Sequence, residues 1–71
     1  MNLSKLPNRS KAVIKEITHP FLRTKLLEMG VTLGAEITLT LKAPLGGPLA
    51  FQCGNTQISI RLEDAAYIVV N

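Results

Sequence analysis

Reactive side chains are scarce in this chain of 71 residues, which holds one cysteine, Cys53, and one histidine, His19. A lone cysteine excludes an internal disulfide, and a structural zinc site has no tetrahedral set of Cys and His to draw on. Aromatic residues are as few, with Phe21, Phe51 and Tyr67 alone available for stacking on nucleic-acid bases. No apolar run approaches the roughly 18 residues of a membrane-spanning helix. The opening MNLSKLPNRSK also lacks the apolar stretch of a secretory signal. The expected location is the cytoplasm. Catalytic patterns are missing too: there is no GxSxG, no HExxH, no glycine-rich phosphate loop before a helix, and no Cys–His pair at local spacing. A Cys53–His19 dyad is conceivable in space, but nothing in the sequence selects it, and Cys53 reads as a small strand residue. The chain is not expected to be an enzyme.

What is present is a hydrophobic fraction of 46% and a mean hydropathy of +0.24, enough to build one small core. Residues 1–71 are expected to form a single domain. Charge is modest, with eight Lys and Arg against five Asp and Glu, a net +3. Lys5, Arg9, Lys11, Lys15, Arg23, Lys25, Lys42 and Arg61 are scattered, without the dense basic stripe of a nucleic-acid-binding surface. The Glu63-Asp64 pair suits the start of a helical turn, where carboxylates meet the positive end of the peptide dipoles. No metal role is assigned to it, and no other metal-ligand set is evident.

The stretch PFLRTKLLEMGVTLG, Pro20 to Gly34, predicts one short helix with defined ends. Pro20 fits the first helical position and pushes His19 out of helical geometry, making His19 the expected cap. Leu22, Leu26 and Met29 share one face and are expected to point inward. Gly30 ends the helix in a left-handed conformation, so that Val31 folds back on Leu26. Gly34 permits a second reversal.

Strand patterns flank this helix. AVIKEI, residues 12–17, alternates imperfectly, which predicts either a bulge or a strand covered on both faces. EITLTLK, residues 36–42, alternates cleanly, with Ile37, Leu39 and Leu41 expected inward. APLGGP, residues 43–48, interrupts the pattern; residues 49–53 resume it, and Gly54-Asn55 predicts a two-residue hairpin loop. Thr56 to Leu62 is the next expected strand, with Ile58, Ile60 and Leu62 inward, and YIVV, residues 67–70, is the last. Leu3 and Leu6 are expected to form a lid over one end. The sum is a mostly β domain: a small antiparallel barrel of five to six short strands, with one short α-helix inserted after the first. Closure is expected because open edges invite aggregation.

Phe21 and Leu27 lie on opposite flanks of the expected inner helix face, and Leu45 sits in a loop that needs no apolar tip. Exposed apolar side chains on a small domain commonly mark a binding surface. They also leave self-association open.

Taken together, HPFLRTKLLEMGVTLGAEITLTLKAPLGGPLAF, the following Gly-Asn turn and ISIRLEDAAYIVV resemble the FeoA family, ferrous iron transport protein A, over about residues 12–70. One departure is Leu33, where the family often has proline before the glycine. The resemblance implies an SH3-like barrel and a cytoplasmic accessory or regulatory role in bacterial ferrous iron uptake. It further implies protein–protein contact with the FeoB-type GTP-binding iron permease, and a link to the membrane only through that partner. No cofactor is expected, because a single His, a single Cys and five scattered carboxylates offer no convergent iron-ligand set. The expected contact residues are Phe21, Leu27, Leu45 and Pro48 as apolar anchors, with Arg23 for electrostatic orientation. Two alternatives are a small nucleic-acid-binding barrel, motivated by the basic charge, and the C-terminal regulatory domain of an iron-dependent repressor, although the chain contains no DNA-reading helix pair. No nucleic-acid partner is expected.

Overall fold

A computed structural model describes residues 1–71. The chain enters through a tight 3₁₀ turn, Leu3–Lys5, capped by the Asn2 side chain, which accepts the Ser4 N–H at 3.0 Å. Leu3 and Leu6 are both buried in the core, as a lid requires. Strand β1 (Lys11–Ile17) leads into helix α1 (Pro20–Glu28). Strands β2 (Glu36–Lys42), β3 (Leu49–Cys53) and β4 (Thr56–Ile60) follow, then the single turn α2 (Leu62–Ala65) and strand β5 (Ile68–Val70). The five strands form one antiparallel sheet in the order β4-β3-β2-β1-β5. Its inner face supplies most of a single core cluster, to which Phe51, Leu39, Leu49, Ile14, Ile37, Ile58 and Ile68 all contribute.

Two register slips shape the sheet. In β1, Ile14 pairs with Val70 but Glu16 with Val69, so Lys15 is an extra residue. That bulge decides the ambiguity of AVIKEI: Ile14 and Ile17, three apart, both reach the core. In β2, Leu39 pairs with Phe51 but Leu41 with Ala50, which makes Thr40 the extra residue. A one-residue slip reverses the facing of everything beyond it. Leu41, expected inside, is therefore 51% exposed.

Other expectations are corrected at element ends. Leu62 opens α2 instead of ending β4, because the Arg61 carbonyl accepts the Asp64 and Ala65 N–H groups, both at 3.1 Å. Leu62 still packs against the core, half-buried, as does Ile60. Closure is incomplete, since no ladder joins β4 to β5; α2 occupies their connection.

Helix α1 begins and ends as its sequence dictates. His19 has extended backbone angles and its Nδ1 accepts the Leu22 N–H over a long 3.4 Å. At the other end Gly30 takes φ +90, and the Val31 N–H donates to the Leu26 carbonyl at 2.9 Å while Gly30 N–H donates to Leu27 at 3.0 Å. This is the Schellman pairing, and it delivers Val31 into the core beside Leu26. Leu26 is the one helix residue that is fully buried. Leu26→Ala is expected to destabilise the domain by about 2–5 kcal/mol, read from urea unfolding.

Beyond the helix, Ala35 N–H donates to the Thr32 carbonyl at 3.2 Å, and Gly34 takes φ +89. Positive φ at the third residue makes this a type II turn, whose second position, Leu33, favours proline. The Leu33 N–H has no backbone acceptor to lose. Leu33→Pro is expected to raise the unfolding free energy by about 0.4–1 kcal/mol by restricting the unfolded chain, a gain readable as a higher melting temperature.

Candidate functional site

Helix α1 does not lie flush on the barrel. Between it and the outer strand β4 runs a groove of about 400 Å³. Its helical wall carries His19, Phe21, Leu22, Lys25, Leu26 and Met29; its strand wall runs from Ile58 to Arg61, and Asp64 of α2 closes one end. Met29 was expected in the core with Leu22 and Leu26. It shares their face, but the helix has ended at Glu28, and Met29 overhangs the groove at 41% exposure. Leu22 is half-buried against the core.

The helix's entry is held by the start of β5. The Tyr67 carbonyl accepts both the Thr18 N–H, at 2.8 Å, and the Thr18 hydroxyl, at 3.2 Å. The Tyr67 ring meets His19 edge-on with centroids 5.1 Å apart, and Phe21 continues the row, tilted, 6.0 Å from His19. At the far end Arg61 Nε donates to Asp64 Oδ2 at 3.2 Å. That hydrogen bond, then the charges of Asp64 and Glu63, raise the guanidinium's pKa above its ordinary value. Lys25 has no such partner, because the Arg61–Asp64 pair is the one ion pair in the molecule.

A second, shallower hollow lies on the other side of α2, lined by Ser4, Lys5, Lys42, Gly46 and the first residues of α2. There Lys42 Nζ donates to the Ser4 carbonyl at 2.8 Å.

The residues expected to make contact are all exposed, and the structure separates them. Phe21, 84% exposed, rims the α1–β4 groove. Arg23 and Leu27 lie on the other flank of α1, outside the groove, with Leu27 58% exposed. Leu45 and Pro48 belong to the 43–48 loop, which borders the second hollow through Gly46. Lys25, Met29 and the β4 residues were not among the expected contact residues. The uncharged run TQISI was readable as a strand, but only the topology makes it an edge facing a helix.

Elsewhere no group of three or more His, Cys, Asp or Glu side chains is gathered closely enough to hold a metal ion. Cys53 is half-buried in β3. No helix is long and apolar enough to cross a membrane.

A family model described as the FeoA domain matches residues 1–71. The chain belongs to the FeoA family. Among its relatives is the Fe(2+) transport protein A/Fe(2+) transporter FeoB fusion protein of Porphyromonas gingivalis, 38% identical over 71 residues. That match takes in 99% of this chain but 8% of the fusion protein, so the chain spans less than a tenth of that relative's length. The FeoA protein of Chlorobium tepidum, solved by NMR, superposes with a TM-score of 0.90 at 30% identity, over 99% of this chain and 68% of its own. FeoA of Stenotrophomonas maltophilia, solved with zinc, has a TM-score of 0.84 at 33% identity, over 100% of this chain and 89% of its own. It is described as a procaryotic SH3 domain protein, which agrees with the SH3-like architecture built above.

In this FeoA domain the 43–48 loop holds an unusual residue. Gly47 N–H donates to the Pro44 carbonyl at 3.2 Å around Leu45 and Gly46, whose φ values are +59 and +76. Two positive φ values make a type I′ turn, and leucine is a costly choice for its first corner. Leu45 is also fully exposed and packs on nothing in the chain. Leu45→Gly is therefore expected to stabilise the domain, by up to about 1 kcal/mol, in a urea or thermal melt.

Proposed function

We propose that this FeoA domain is a cytoplasmic accessory of ferrous iron uptake that acts by protein–protein contact with the FeoB-type GTP-binding iron permease. The observation that carries this reading is the relative in which the same domain and FeoB form one polypeptide. Fusion of two chains is an economical way to keep interacting partners together, because it converts binding into an intramolecular event. Apolar exposure on α1 and on the 43–48 loop supports the same reading, since Phe21, Leu27 and Leu45 are exposed and contribute nothing to the core.

In this account iron is the permease's cargo, and the domain itself holds none. The donor chemistry supports that, with one His and one Cys and no gathered carboxylates. The contact residues are Phe21, Arg23, Leu27, Leu45 and Pro48. Because the helix and the loop lie on different sides of α2, they act as two anchor points, with Arg23 fixing orientation.

Leu27→Asp combined with Leu45→Asp is expected to weaken co-purification with the permease's cytosolic part by about tenfold or more. Both side chains are exposed, and aspartate tolerates the left-handed backbone at position 45, so the circular-dichroism melt should hold. Undiminished co-purification, with the membrane fraction retained, rejects this surface.

A further inference from the structure

We propose that the outer edge of β4 receives an extended, acidic segment of the permease as an added strand, whose apolar side chains enter the groove beneath α1. The inference rests on the reading of the permease as partner and specifies how and where it is held.

The edge is open by register. The two-residue loop Gly54-Asn55 makes Cys53–Thr56 a hydrogen-bonded pair, and Phe51–Ile58 and Leu49–Ile60 follow in the same phase. Gln57 and Ser59 alternate with these, so their N–H and C=O groups point away from β3 and have no partner in the chain. Proteins ordinarily blunt such an edge with lysine, proline, a bulge or a covering element. The β4 sequence, TQISI, has neither charge nor proline, and its ladder with β3 is continuous. The opposite end of the strand order is treated differently. There Val70 N–H donates to the Met1 carbonyl at 2.8 Å, and Asn2 bridges Val69, so β5 is covered.

The groove fits the side chains of such a strand. Alternate residues of an added strand fall on the side where Ile58 and Ile60 lie, against Leu22, Met29 and Phe21. Main-chain pairing would supply affinity and the groove selectivity, as in other strand-addition complexes. Charge chooses the occupant. Lys25 on the groove wall is unpaired, and the chain carries net +3. A second copy would bring like charges together, whereas a segment with carboxylates would meet Lys25 favourably.

The test uses the 71-residue chain and the purified cytosolic part of the permease. Amide exchange by NMR should slow at least about tenfold at Gln57 and Ser59 on binding. Ser59→Pro removes one outward N–H without touching the β3 ladder and should weaken capture about tenfold, with the melt retained. Lys25→Glu, remote from the ladder, should weaken capture likewise and covers the case in which the proline variant does not fold. Capture that leaves both amides exchanging freely overturns the edge and spares the permease reading. Loss of all capture by the unmodified chain overturns both. Protection of Gln57 and Ser59 in the chain alone, growing with its concentration, identifies a second copy as the occupant and overturns the proposal.

Discussion

Helix α1 is fastened to the barrel through a single buried side chain. Leu26 is the only one of its nine residues that is fully buried, with Leu22 half-buried against the same core, and everything notable about the surface follows from that sparse attachment. A helix this short has little stability of its own and must borrow it from packing and from its caps. Here both ends are tied: His19 and the Tyr67 carbonyl fix the entry, while Gly30 turns the chain so that Val31 follows Leu26 inward. With three points secured, the side chains beyond Leu22 and Leu26 need not pack. Phe21 and Leu27 stay in solvent, and Met29 leans over open space instead of closing it.

The sheet solves a related problem with its two extra residues. A seven-residue strand that keeps strict alternation twists but does not bend sharply, and a small barrel has to curl. Lys15 and Thr40 each insert one residue against a shorter partner strand, which bends the sheet and strengthens its twist. The first bulge left a trace in the sequence, because Ile14 and Ile17 stand three apart where alternation wants two. The second left none. EITLTLK alternates without fault, and only the pairing with β3 reveals that Leu41 has been turned outward.

This contrast explains what could be read from residues alone. Helix ends, hairpin and turns are written in local chemistry, so Pro20, Gly30, Gly34 and Gly54-Asn55 located them, and the family resemblance added the SH3-like architecture. The facing of Leu41 and Met29 depends on neighbours distant in sequence, and no local period encodes it. The candidate site behaves the same way. That Phe21 and Leu27 fall off the inner face and that Leu45 tips a loop was legible, but residues alone left open whether they extend the core or stay in solvent, and the structure exposes all three. The groove was not, because it arises where α1 and β4, separated by two strands, come to face each other.

The hydrogen bond from Val70 to the Met1 carbonyl has a topological consequence. It sets the first residue and the second-last side by side, within one strand spacing. A head-to-tail bridge of a few residues would therefore close the backbone into a ring without moving any strand. New ends could then be opened at the Gly54-Asn55 tip, giving a circularly permuted domain with its core untouched.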